Sequence, residues 1–523
     1  MKKRIGRLSA IVLSVVLTAG LLAGCGGAKE EAPAAGSSEA PAAASSAPQS
    51  GADLNEVTLK IYFAGESKSE AANVWEAVGE ICKDKLNAKF EANWIPFADY
   101  GDKLIVLSAA GDKYDMNFDG DWLAYPKMVN KGAYLNIKDL LPQYAPKTYE
   151  SLKSSGALQA GMVKGELLCI PWEINMNQDR MFITYRADLA DKAGIKMDSI
   201  QTVEDLDAAL TSAKKALPNV QIMKWNVVDM PPYEELFLRR DELHSINFHN
   251  FVIDLNDPTY KIIPLEQTQA FKDSAKMSKK WYDDGIIAKN MMVDIEEQTP
   301  AFAQGKTFAQ ITSHEWAFNN PSFTDSSFKA ASSGLYPDKK TVNRSALANV
   351  MAINGNAANP ERALMFLELM STDKAVYDTV MYGIEGKTYK LDGDKAVTVD
   401  GQDAANSNYL DWRGQWGLWK PQFMRPTDTY PAGFWEEEAE FAKQPGNSPN
   451  PLDGLFFDTT NIKNEIARRD QINTELARIL MFGAAKDVDK AVDELIEKQK
   501  AAGLDKVQAE LQKQLDEFLK SKQ

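Results

Sequence analysis

Histidine and cysteine are nearly absent from this chain, with three of each among 523 residues. His244 and His249 stand five apart, so they do not stack on one helix face, and no H-E-x-x-H occurs. A zinc hydrolase is thereby excluded, and the lack of a G-x-S-x-G elbow removes the common serine hydrolases. Phosphate-binding loops also fail. Gly305-Lys306-Thr307 has Pro300 where the first glycine belongs, and Gly386-Lys387-Thr388 has Met381 there. Asp115-x-Asn117-x-Asp119-Gly120 begins like a calcium loop, but its twelfth position is Pro126 rather than a bidentate glutamate. No metal, cofactor or catalytic residue is expected. Basic charge is scarce as well: 59 Lys and Arg face 74 Asp and Glu, a net charge of -15. Nucleic-acid binding needs basic stripes, so it is excluded.

Only one long apolar run exists, Leu8 to Ala23, and it follows Lys2, Lys3, Arg4 and Arg7. A basic start, a short apolar stretch and small residues before a cut form a secretory signal. The run closes on Leu22-Ala23-Gly24-Cys25, which looks like a lipobox and implies acylation of Cys25 as the new N-terminus. Residues 1–25 are thus expected to be a lipoprotein signal peptide. Residues 26–53 are almost entirely Gly, Ala, Ser, Pro, Glu and Gln. Such a segment cannot bury enough apolar surface to offset its ordering entropy, and it is expected to be a disordered linker. As a flexible coil it would reach roughly 30 Å. The protein is then expected outside the cell, tied by lipid to the outer face of the bacterial cytoplasmic membrane. Of the two remaining cysteines, Cys82 lies on an apolar helix face and Cys169 in the apolar run Leu167–Ile170. A disulfide between them is permitted by the compartment, but both read more simply as small buried hydrophobes.

The remaining 470 or so residues suit two domains. Val57–Phe63 alternates like a strand, and Ser67 with Glu70 has capping-box spacing. Ala71, Val74, Trp75, Val78, Ile81 and Cys82 recur as on an amphipathic helix. A second strand at Lys89–Ile95 and a second helix from Tyr100 to Ala110 give β-α-β-α. That order argues for a mostly parallel sheet flanked by helices. Further strands are expected at Lys164–Trp172, Met181–Tyr185 and Lys306–Ile311. Further helices are expected at Val203–Leu217 behind Thr202, at Phe271–Asp283, and from Asn359-Pro360-Glu361 to about Met370. Residues 487–522 carry Val488, Val492, Leu495, Leu504, Val507, Leu511, Leu515 and Phe518 at helical spacing and read as a packing helix pair.

Several stretches resemble solute-binding protein family 1 of ATP-driven importers, the group that contains maltose-binding protein. They are Lys164-Gly165-Glu166-Leu167, Ile170-Pro171, Tyr185-Arg186-Ala187-Asp188-Leu189 and Thr202-Val203-Glu204-Asp205-Leu206. Gly305-Lys306-Thr307 leading to Glu315-Trp316-Ala317-Phe318, and Ala348–Asn354 with Asn359–Ala363, agree in order and spacing. Tyr382–Tyr389 and the long C-terminal region resemble a lipoprotein branch with an extra C-terminal domain of unknown function. The resemblance implies an α/β, two-lobed, periplasmic-binding-protein-like fold with mixed sheets and a helical C-terminal extension. Lobe one would be 53–172 plus 346–384, and lobe two 175–345 plus 385–523. It also implies a monomeric receptor that captures a small solute, a sugar or oligosaccharide, and delivers it to ABC permease subunits.

Sugars present an apolar C–H face and a hydroxyl rim, so tryptophans beside carboxylates at strand ends are the residues to seek. Trp122 follows a strand-like stretch with Asp119 and Asp121 beside it. Trp172 has Glu173 next to it, and Trp316 has Glu315. Each tryptophan could equally be a packing residue. Glu66, after the first strand, and Trp412 complete the expected ligand set, while Trp416 and Trp419 read as packing residues. Two other readings use the same residues. A surface glycoside hydrolase would need two carboxyls across the cleft, and a sensor or adhesin could be built on the same fold.

Overall fold

Alternating apolar residues make Val57–Ala64 a strand, and Leu59, Ile61 and Phe63 are fully buried on one of its faces. This is the second-innermost strand of a four-stranded sheet in the order Val350–Ile353, Met116–Asp119, Val57–Ala64, Ala88–Ile95. The last three run parallel, and Val350–Ile353 is antiparallel to its neighbour. The computed structural model describes residues 54–174, 180–225, 233–246, 250–294, 296, 298–312, 328–402, 406–409, 416–427, 430 and 432–522. Cys25, His249, His314, Glu315, Trp316 and Trp412 lie outside the described residues.

The helix Ala71–Leu86 buries Val74, Trp75, Val78 and Cys82 against that sheet, with the Trp75 ring 5.8 Å from Phe63. Ile81 is 43% exposed and sits off this face. The expected Ser67–Glu70 capping box does not form. Glu70 is itself the cap residue, and its carboxylate accepts from Asn73 and pairs with Lys387 at 2.7 Å. At Val203–Ala216 the expected cap is present: Thr202 accepts from Asp205 N while the Asp205 carboxylate accepts from Thr202 N.

The strand expected over 164–172 shrinks to Glu166–Leu167, paired with Met162–Val163. Lys164 at φ 51 and Gly165 at φ 87 make the tight turn between them. Leu168, Cys169 and Ile170 are apolar because they are buried, with a single bridge from Ile170 to Met351, and they are not laddered.

A second sheet places Met181–Arg186 between Ala309–Thr312 and Ala330–Leu335, both antiparallel to it. The parallel expectation therefore fails for this sheet. A third sheet joins Leu243–Ser245, Phe251–Asp254 and Ile263–Pro264.

The first core gathers residues between Leu59 and Ile174 with others between Leu347 and Phe434. The second gathers residues from Met181 to Tyr336 with Ala477–Leu495. A third joins Phe251, Ile253 and Ile262 to Ile462, Ile466, Leu504, Val507, Leu511 and Leu515. Assigning everything after 385 to the second lobe needs correction, because Tyr389, Ala396, Leu418, Trp419 and Phe434 pack into the first core. Of these, Trp419 lies 5.9 Å from Trp172, and Tyr430 and Trp435 pack on Trp419 in turn.

The tail forms the helices Val488–Ala501 and Leu504–Ser521, the first capped by Asp487. Cys82 and Cys169 are both buried and free, and burial pushes each thiol up to about 12. Among the described residues no helix is long and apolar enough to cross a membrane.

Candidate functional site

The strand Met116–Asp119 ends at Gly120, where an added Cβ would lie 2.4 Å from the Ala348 carbonyl oxygen. Only glycine allows the chain to pass so close to the returning segment. Asp121 N then donates to Leu347 O at 2.9 Å, and Trp122 Nε1 donates to Ala348 O at 2.6 Å. These two bonds fix the edge of the indole and leave its body 45% exposed. Trp416 and Phe97 pack beside it, with centroids 6.0 and 6.4 Å away.

Trp122 and Asp121 form one wall of a cavity of about 740 Å³, a volume typical of small-molecule sites. Arg344 and Ser345, from the segment returning to the first sheet, line it next. His244 and Arg239 face it from the second lobe, and Asp453, Phe456 and Phe457 from the C-terminal region.

Burial dominates the electrostatics here. It pushes the Asp121 and Asp453 carboxyls up, against the lowering influence of the Ser345 hydroxyl beside both. The Arg344 charge further steadies Asp121, and burial pushes Arg344 itself down. The Arg344 guanidinium lies 5.6 Å from the Trp172 ring centroid. Two wall atoms, Arg344 Nε and Asp453 Oδ1, are almost shut off from water and have no hydrogen-bond partner among the described residues. Buried polar atoms seldom stay unpaired without a ligand, ion or water to serve. No group of three His, Cys, Asp or Glu suited to a metal ion occurs among the described residues.

Of the five described residues expected to hold ligand, the structure brings only Trp122 to this cavity. Glu66 is exposed just beyond the first strand and is not part of the wall. Asp119 is fully buried beneath it. Its carboxylate accepts from Gly120 N, Ala124 N and the Tyr134 hydroxyl, and burial pushes it up to about 7. With Asp115 and Asn117, also buried, it belongs to the interior of the lobe. Trp172 is 3% exposed and stacks near Trp419 at 5.9 Å. Glu173 accepts from Ser151 and from Lys420 Nζ, the latter at 2.8 Å, so both its oxygens are committed. Sequence reasoning missed Arg344, Ser345 and Asp453. Nothing in their local sequence marks them, although Asp121 was legible as the acid adjoining Trp122.

Residues 64–377 match the bacterial extracellular solute-binding proteins. The chain belongs to that family. Residues 451–520 of this solute-binding protein match a second family, a domain of unknown function (DUF3502). A carbohydrate ABC transporter substrate-binding protein of Streptococcus pneumoniae serotype 4 is 26% identical over 479 residues, covering 89% of this chain and 91% of the relative. Among solved structures, the N-glycan transport solute-binding protein NgtS of S. pneumoniae is similar, at a TM-score of 0.75 and 23% identity. That match covers 90% of this chain and 100% of NgtS. The alginate-binding protein AlgQ2 matches at 0.60 and 19% identity, over 88% of this chain and 99% of AlgQ2. Both likenesses bear on the fold, which is two-lobed.

Proposed function

We propose that this solute-binding protein is the lipid-anchored receptor of an ATP-driven importer. It captures an oligosaccharide in the 740 Å³ cavity and delivers it to ABC permease subunits in the membrane. The observation that carries the reading is the tethered, half-exposed indole of Trp122 set among buried charged groups. An indole face suits the C–H face of a pyranose, and carboxylates with an arginine suit its hydroxyls. The printed names of the S. pneumoniae relatives, a carbohydrate receptor and an N-glycan transporter component, support the same class. Those relatives are binding proteins of transporters, which favours capture over hydrolysis. Glu66, Glu315, Trp316 and Trp412 remain proposed contacts of the closed form, alongside Trp122. Ligand held by both lobes shifts the population toward that form to the extent that it binds it better.

Thermal unfolding with Man1GlcNAc, Man5GlcNAc, kestose and alginate oligosaccharides tests the reading. A bound sugar raises the Tm with the logarithm of its concentration, and no shift with any of them refutes an oligosaccharide receptor of this kind. For the anchor, Cys25→Ser is expected to move the protein from membranes to the medium with its sugar affinity unchanged. Absence of acyl-chain mass on the Cys25 peptide of the wild-type protein rules out lipid there.

A further inference from the structure

The C-terminal helices do more than cover the second lobe. Their apolar face, Leu504, Val507, Leu511 and Leu515, packs on the third sheet, and Gln508 and Gln512 bond the backbone of Ile262 there. From that base the helix Leu504–Ser521 holds the preceding loop at two places. Gln514 exchanges two bonds with the backbone of Asp458, at 2.8 and 2.9 Å, and Lys522 Nζ donates to Asp453 O at 2.7 Å. The loop then reaches the first lobe. Gly454 sits at φ +86, where an added Cβ would be 3.2 Å from Ala160 O, and Phe456 packs against Tyr125 at 5.5 Å. Between these anchors Asp453 stands in the cavity wall. One of its oxygens faces Ala346 N at 3.5 Å, and the other has no partner among the described residues.

Resting on the receptor reading above, we propose that the C-terminal domain is part of the binding site. Its loop supplies Asp453 as a specificity-determining acceptor for one sugar hydroxyl. The free carboxylate oxygen accepts a hydrogen bond from that hydroxyl. A sugar lacking a hydroxyl at that place leaves this oxygen buried and unpaired, which penalises the wrong ligand strongly.

The test is calorimetric titration of the full chain with whichever of Man1GlcNAc, Man5GlcNAc and kestose binds, and with its monodeoxy analogues. Asp453→Asn replaces an acceptor by a donor at nearly constant shape. It is expected to weaken the parent sugar about tenfold to a hundredfold. One deoxy analogue should then bind the variant and the wild type equally. Asp453→Ser provides the same comparison should the amide variant not fold. Unchanged affinity, or an equal loss for every analogue, overturns the assignment while leaving the receptor reading intact. Failure of all three sugars to bind wild type refutes the receptor reading itself.

Discussion

Two tryptophan–acid pairs, Trp122 with Asp121 and Trp172 with Glu173, begin alike in sequence and end in opposite environments. Both lie where a strand-like run stops. Trp122 is tied by its ring nitrogen to Ala348 O and keeps its face open. Trp172 is roofed by Trp419, and its neighbour Glu173 is bound into an ion pair with Lys420 whose side chains are 10% and 6% exposed. The roof comes from residues more than 240 positions away along the chain. The contrast teaches that an aromatic beside an acid stays open only where distant segments leave part of it uncovered. Trp172 nonetheless packs behind the cavity wall, since the guanidinium of the wall residue Arg344 rests over its ring.

Three measurements can break or sharpen this contrast. Trp172→Ala has the largest expected effect, a loss of about 3–5 kcal/mol in urea unfolding, because it empties a packed core. A variant as stable as wild type that loses only ligand would make Trp172 a contact residue and erase the distinction. Trp122→Ala is expected to cost about 1–3 kcal/mol of sugar affinity with a smaller loss of stability than Trp172→Ala. Unchanged affinity would remove Trp122 from the site.

The third measurement concerns Asp119. Burial holds its carboxyl at about 7, whereas an unfolded aspartate titrates near about 3.9. Between these values the native state keeps a proton that the unfolded chain has lost, so this group lowers stability as pH rises from about 4 to about 7. Asp119→Asn should flatten that part of the stability–pH curve. An unaltered curve would show that Asp119 is already ionised in the fold.

The secondary structure was legible wherever local chemistry decides it. Thr202 with Asp205 starts its helix as spacing predicts, and the tail helices follow their apolar period. Legibility failed where burial imitates a strand, as at Leu168–Ile170, and where a remote partner wins, as when Lys387 takes Glu70. At the site, Trp122 was legible only as one of several strand-end tryptophans beside acids, and its exposure was settled by the fold. Arg344, Ser345 and Asp453 were not legible, since each becomes a site residue only when 450–457 and 340–347 meet across the cavity.

The sequence by itself carried an apolar run closing on a lipobox-like cysteine, a net charge of -15, no recognised metal or nucleophile motif, and the alternation of strands and helices that builds two lobes. Each of these depends on residues close together along the chain. Only the tertiary structure decided which carboxylates stay buried and which line the cavity, and that a C-terminal loop forms part of its wall. Burial and pairing are set by segments hundreds of residues apart, and no local pattern encodes which of them will meet.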